Sequence, residues 1–303
     1  MMDRHPKISC IMPAYNAARY IRIAIDSILS QTFDDFELII INDGSTDETE
    51  KIIQSYDDSR IVYLKNETNL KLIKTLNRGI DIAKGEFISR MDSDDQAMPT
   101  LFEMELKEFS KYSEAGIVNT LTFHMSEDGR KIKKNRRVPY LSSKAMSVIC
   151  PFCNMISHPG VMVRADLMKK YKYRDDAMVV HLEDLDLWCR MFTDGIVCKT
   201  LKKRLLRYRT SSESVNSVYG KERYIRRKKI VAYYLKKMYG WEHEIFEDVN
   251  EVGFCKKNSS CFGYFFYLLK NKKISIFTFF ELMKWLINEL CGDLKNFVTG
   301  KKN

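Results

Sequence analysis

Over its first hundred residues the chain alternates short, almost wholly apolar runs with longer stretches in which apolar side chains recur every three or four positions. The runs at 8–12, 36–41, 61–64 and 86–91 are too short for helices and are bounded by turn residues, which predicts strands buried on both faces. Between them, 18–30 carries the helical stripe Tyr20, Ile21, Ala24, Ile25, Ile28 and Leu29, and 70–83 a second stripe that Gly85 stops. Ser45 followed by Glu48 has the spacing of a capping box, with Asp47 beside it, and predicts another helix starting there. Strand and helix in regular alternation specify an α/β domain with a mostly parallel sheet.

In such sheets ligands sit beyond the carboxyl ends of the strands. The fourth run ends in Arg90-Met91-Asp92-Ser93-Asp94-Asp95, which puts two hard oxygen ligands, Asp92 and Asp94, at that edge. Mg²⁺ or Mn²⁺ suits such a pair, leaving its remaining positions to water and substrate phosphate. A calcium loop would use Asp92, Asp94 and Glu103, but Ala97 stands where that loop requires Gly. Pro13-Ala14-Tyr15-Asn16 and Asn42-Asp43-Gly44-Ser45 follow the first two strands onto the same edge. Tyr15 can stack on a base and Asp43 can accept from a base N–H, so the three strand ends outline a pocket for a nucleoside diphosphate. Taken singly, Asn-Asp-Gly-Ser is also a good turn and Tyr15 a packing residue.

Farther on, 99–178 mixes helix-like and strand-like pieces with a basic loop at 127–137, and His181-Leu182-Glu183-Asp184-Leu185-Asp186 opens a helix that buries Leu185, Leu187 or Trp188, and Met191. The net charge of +10 is concentrated in 199–237, which holds fourteen Lys or Arg against Glu213 and Glu222. Such a block can face nucleic acid, anionic lipid or a phosphorylated substrate. Basic, aromatic helices are expected at 224–239 and 274–290, with an apolar run at 261–269 before Lys270-Asn271-Lys272-Lys273. Neither apolar run reaches the roughly 20 residues of a membrane span, which leaves two readings: a packed helical appendage, or an interfacial element with aromatic anchors beside lysines. Eight scattered cysteines without framework spacing, and no amino-terminal signal pattern, predict a cytoplasmic protein. Cys150-Pro151-Phe152-Cys153 matches a redox or metal pattern, with two small core side chains as the ordinary alternative.

Six segments in order resemble the family 2 inverting glycosyltransferases of GT-A fold: 11–16, 42–47, Asn77-Arg78-Gly79, 90–95, His158-Pro159 and Glu183-Asp184. The chain is particularly similar to bacterial members that build O-antigen, capsule and other surface glycans. The resemblance implies a GT-A catalytic domain over 1–216, with a nucleotide-sugar half at 1–95 and an acceptor half at 96–216, followed by a helical extension over 217–303. It implies a hexosyl- or N-acetylhexosaminyl-transferase that uses Mn²⁺ or Mg²⁺, takes its sugar from a nucleoside diphosphate, usually UDP, and passes it to a glycan or lipid-linked acceptor. By the same analogy Pro13, Ala14, Tyr15, Asn16, Asp43, Lys71, Arg90, Asp92 and Ser93 contact the nucleotide-sugar and Asp94 with Asp92 carries the metal. Asp184 is the catalytic base, with His158, Glu183 and Arg209 near the acceptor or substrate. Partners expected besides substrates are an anionic membrane surface at the inner face of the cytoplasmic membrane, and no nucleic acid.

The chain departs from the family at two places. Lys71 stands where a Gly is common, and Ser211 where a His often follows Arg207-Tyr208-Arg209. Lys71 can shift how its loop meets the nucleotide or reach a phosphate, with a solvated lysine as the ordinary alternative, and phosphate contacts from the lid-like loop can come from Arg209, Ser211 or Ser214. Asp186 is a stand-in for the base, pointed away from Asp184 by helical spacing. Two other functions fit the class: a nucleotidyltransferase, which would need a Gly-rich basic loop where Pro13-Ala14-Tyr15-Asn16-Ala17 stands, and a silent glycan-binding scaffold, against which the intact acids argue.

Overall fold

The computed structural model describes residues 5–134, 141–210, 220–240, 258–284 and 286; Ser211 and Ser214 fall outside them, as do Trp285 and the last residues of the helix expected to end at 290. Contacts group the chain into two units, one made of Met1–Asn135, Ile156–Ala177 and Ile196–Ser214, the other of Arg136–Met155, Met178–Gly195 and Val215–Asn303. The grouping is discontinuous, whereas the family resemblance implies a linear division at 216.

The first unit holds the sheet. Its strands are β1 (Ile8–Ala14), β2 (Phe36–Asn42), β3 (Ile61–Lys65), β4 (Phe87–Arg90), β5 (Gln96–Ala97), β6 (Ala115–Ser126), β7 (Ile132–Lys134), β8 (Val161–Arg164) and β9 (Val197–Thr210). They lie in the order β3-β2-β1-β4-β8-β6-β9-β5, with β7 paired to β6. Parallel pairing of β1 with β2 and β4, of β2 with β3 and of β6 with β9, and antiparallel pairing elsewhere, leaves six of the nine strands running one way. This is the mostly parallel sheet that the alternation predicts. Strand order reverses at β1, since β2 and β3 lie to one side and β4 to the other. The switch point, the ordinary place for a ligand in such a sheet, therefore lies beyond the carboxyl ends of β1 and β4.

Every residue of β1 and β2 is buried, as continuous apolar runs require. Helix α1 (Ile21–Leu29) turns Ile21, Ala24, Ile25 and Ile28 into the core, each large side chain contributing roughly 1.5–3 kcal/mol. The helix predicted from Ser45 starts later, as α2 (Thr49–Gln54), with Glu48 at its N-cap. Ser45 does not cap it, because its hydroxyl accepts from the Asn16 N–H at 3.0 Å instead; Asp47 serves the helix start by accepting from Thr49 N at 3.0 Å. Helix α3 (Leu72–Ile82) lies so close to the sheet that a Cβ on Gly79 would come within 2.7 Å of Ile11 Cγ2 and 2.9 Å of Ile41 Cδ1. Helices α4 (Leu101–Lys111) and α6 (Ala165–Tyr171) complete this unit.

The second unit is helical among the described residues: α5 (Ser143–Ile149), α7 (Glu183–Thr193), α8 (Gly220–Tyr239), α9 (Asn258–Lys270) and a helical segment at 276–284. Helix α7 buries Leu185, Leu187, Trp188 and Met191. The Tyr239 and Ser147 hydroxyls lie 3.0 Å apart, and Tyr264 stacks edge-on against Phe152 with centroids 5.4 Å apart. Cys150 meets Cys189 rather than its CxxC partner, with Sγ atoms 4.0 Å apart; both thiols are buried. Among the described residues no helix is long and apolar enough to cross a membrane.

Candidate active site

The loops after β1 and β2 are stitched to each other. The backbone Asp43 N–H donates to Ala14 O at 2.8 Å, Thr46 N donates to Asn16 Oδ1 at 2.9 Å, and Ser45 N to Asn42 Oδ1 at 3.0 Å. Asn16 takes a left-handed backbone at φ +48 to do this, a conformation Asn tolerates better than most side chains. Pro13 and Ala14 are buried beneath the loop, and Tyr15 projects from it, 49% exposed.

Asp43 is almost wholly buried, and its Oδ1 accepts from Asn66 Nδ2 at 2.7 Å and from Leu70 N at 2.8 Å. Behind it, Arg78 reaches Lys65 O at 2.7 Å and Asn66 Oδ1. Asn77 exchanges a pair of bonds with the Tyr173 backbone at 2.8 and 2.9 Å. The Asn77-Arg78-Gly79 segment is thus a brace for Asp43 and for the helix–sheet contact. Lys71, next to Leu70, sits at φ +72 and ψ 162, a backbone region essentially reserved for Gly. Its side chain is exposed. The glycine that the family resemblance leads one to expect here is therefore replaced without any change of the backbone conformation a glycine would suit.

Beyond β4, Asp92, Asp94 and Asp95 bring ligand oxygens within 4.8 Å of one another. Asp92 is held by the buried Arg90 guanidinium, with contacts of 2.6 and 2.5 Å to its two oxygens. Burial, reinforced by the negative charge of Asp92, pushes the Asp94 carboxyl up to about 6, with Arg90 and Arg209 pulling the other way. Burial likewise drives Asp95 well above the usual carboxylate range, with Asp92 and Asp94 adding to it. Asp95 Oδ1 accepts from Arg209 N at 2.7 Å, while its buried Oδ2 has no hydrogen-bond partner among the described residues. Crowded, partly unsatisfied carboxylate oxygens fit a hard divalent cation, which would relieve both the repulsion and the orphaned atom. Ser93 lies half-buried between the acids.

Arg209, read from the sequence as a phosphate or acceptor contact, is buried and otherwise engaged. Its Nε donates to Asp94 O at 2.7 Å, one terminal nitrogen donates to Glu127 O at 2.6 Å, and its guanidinium lies over the Tyr20 ring at 4.2 Å. It clamps the acid loop from behind. His158 is half-buried: its Nε2 lies 2.8 Å from the Tyr173 hydroxyl, and desolvation, helped by Arg90, pushes its pKa well down. Asp95, Arg209 and Asn66 were not legible as a group, because 114 positions of chain separate Asp95 from Arg209.

Glu183 and Asp184 belong to the second unit, in the first turn of α7. Asp184 is half-buried, with Oδ2 accepting from Asn154 Nδ2 at 2.6 Å and Oδ1 from Leu185 N at 2.7 Å. Glu183 is buried. Asp186, the stand-in, is fully buried and committed elsewhere: Oδ2 accepts from Arg190 Nε at 2.8 Å and Oδ1 from the Tyr234 hydroxyl at 2.7 Å. It ties α8 to α7 and is no candidate base.

Comparison with known proteins gives the fold and the family. The chain is similar to the O-antigen biosynthesis glycosyltransferase WbnJ of Escherichia coli, 34% identical, covering 68% of this chain and 81% of WbnJ. It is also similar to the uncharacterised glycosyltransferase MJ1057 of Methanocaldococcus jannaschii, 28% identical over 98% of this chain and 96% of that one. Among solved structures, S. aureus TarS in complex with UDP-GlcNAc superposes with a TM-score of 0.62 at 18% identity, covering 92% of this chain and 79% of that one. That likeness identifies the fold as GT-A. The model of glycosyl transferase family 2 matches residues 9–172, more than half of the 303, and the chain belongs to that family of glycosyltransferases.

Proposed function

We propose that the protein is a metal-dependent, inverting glycosyltransferase that moves a sugar from a UDP-sugar to a hydroxyl of a glycan or lipid-linked acceptor in surface-polysaccharide synthesis. The acid cluster at the β1/β4 switch point carries this reading, because it sets three carboxylates on the sheet edge where the strands leading to Tyr15 and Asp43 also end. TarS binds UDP-GlcNAc and UDP in its crystals, and WbnJ is an O-antigen enzyme, which supports the donor and the product class.

Tyr15 stacks on the base, Asp43 accepts from its N–H, and Pro13, Ala14 and Asn16 shape the floor. Lys71, Arg90 and Ser93 face the diphosphate and sugar, and Asp92, Asp94 and Asp95 would hold Mn²⁺ or Mg²⁺. When bound, the cation would neutralise charge on the departing diphosphate. The catalytic domain spans 1–216. Asp184, oriented by Asn154, accepts the proton of the acceptor hydroxyl as its oxygen bonds to the anomeric carbon. The bond from that carbon to the diphosphate oxygen breaks on the opposite face, which inverts the configuration. The enzyme works peripherally at the inner face of the cytoplasmic membrane.

Donor hydrolysis tests the reading without knowing the acceptor. With UDP-glucose and UDP-GlcNAc as probes, UDP release should require Mn²⁺ or Mg²⁺, disappear in Asp94→Ala, and yield first a sugar of inverted configuration by NMR. Metal-independent release, or retained configuration, contradicts it.

A further inference from the structure

We propose that the hairpin formed by α9 and the 276–284 helix is the surface by which this protein docks on an anionic lipid bilayer, inserting Ile276, Phe277 and Phe280. The inference deepens the peripheral placement above and rests on it, not on the donor chemistry.

The 276–284 helix is apolar on two opposite sides. Ile274, Thr278, Leu282 and Leu286 are buried at four-residue spacing, which seats the segment on its own unit. At 100° per residue the reverse face carries Ile276, Phe277, Phe280 and Lys284. There Phe277 is 83% exposed and Phe280 64%, fractions a core helix does not leave to water. Phe266 of α9, 53% exposed, stacks edge-on with Phe279 and continues the patch.

The charge around the patch points to the same occupant. Lys270, Lys272, Lys273 and Lys284 are exposed around the aromatic residues. The acid within 258–284 is Glu281, whose carboxylate is already bonded to the Ser142 backbone N–H and hydroxyl, the latter at 2.6 Å. The turn between the helices is closed by Lys273 N donating to Leu268 O at 2.8 Å and by a Ser275 hydroxyl accepting from Thr278 N at 3.1 Å. It therefore presents the lysines from a defined turn. A bilayer rewards shallow aromatic insertion beside lysines.

The test uses the full chain and phosphatidylcholine vesicles with or without phosphatidylglycerol, read by flotation. Wild type should float with the anionic vesicles and much less with the neutral ones. The double variant Phe277→Ser with Phe280→Ser should lose more than about tenfold in affinity, and Lys272→Gln with Lys273→Gln about fivefold per lysine, the latter loss vanishing in high salt. All substituted side chains are exposed, so melting temperatures should match wild type. If wild type binds and the phenylalanine variant binds equally, the docking face is wrong while the peripheral placement stands. No binding by wild type overturns both. A wild-type dimer that the phenylalanine variant converts to monomer, without vesicle binding, makes the face a contact between two copies and overturns the inference.

Discussion

Asp92, Asp94 and Asp95 crowd their oxygens within 4.8 Å, with one buried oxygen left without a partner among the described residues and two carboxyls driven upward in pKa by burial and mutual repulsion. In the first turn of α7, by contrast, Asp184 has Asn154 and a backbone N–H, and Asp186 has Arg190 and Tyr234. The residue type is the same and the environments differ in whether the protein itself completes the charge. Where it does, as at Asp186, the acid is a structural bond. Where it does not, as at Asp95 Oδ2, the cluster of acids around the open oxygen is what the proposed cation would fill.

The largest expected effect follows from removing an acid whose partner is missing. Asp94→Ala should lower UDP release from a UDP-sugar by about 10²–10³-fold, the scale of losing one preorganised electrostatic group, while leaving the metal-free protein at least as stable, since repulsion is relieved. A thermal melt in chelator and a donor-hydrolysis assay read both. Asp186→Ala should do the reverse: unfolding free energy falls by about 3 kcal/mol, because Arg190 loses its buried partner, and the residual folded enzyme keeps its donor KM. Comparable losses of activity per folded molecule in the two variants would erase the comparison.

How much of this was legible in the sequence depends on distance along the chain. Apolar runs ending in Tyr15, Asp43 and Asp92 announce strand ends, because burial on both faces and the turn that follows are local properties. The delayed start of α2 was not legible, since Ser45 bonds across to Asn16 rather than along its own helix. The partners of Arg209 were not legible for the same reason: its bonds to Asp94 O and Glu127 O join segments that lie far apart along the chain.

Glu105 extends the comparison to a third setting, a core helix. It is fully buried, neither oxygen has a partner among the described residues, and burial raises its pKa well above the ordinary value. The folded state thus binds this proton more tightly than the unfolded chain does. Its contribution is present in full below the unfolded value of about 4.3 and is lost as pH rises toward the folded one. Glu105→Met should raise stability at neutral pH by about 1–3 kcal/mol, with the gap to wild type shrinking as pH falls toward 4. A gap independent of pH would mean that the carboxyl is satisfied in solution.

The smallest expected effect is at Lys71. Relief of its Gly-type backbone in Lys71→Gly should add about 1–2 kcal/mol to stability. If the lysine meets the donor, the same change raises KM for UDP-sugar with kcat little altered. Higher stability at unchanged KM would leave Lys71 outside the donor site.

The central claim, that the β1/β4 switch point binds a nucleotide through a cation at the acid cluster, is tested most directly by thermal denaturation with UDP, GDP, dTDP and CDP, each with and without Mn²⁺, for wild type and Asp94→Ala. The predicted result is a rise of roughly 5 °C or more with UDP and Mn²⁺ together at saturating ligand, absent in Asp94→Ala. A folded wild type that no nucleotide stabilises, with or without the metal, would contradict it.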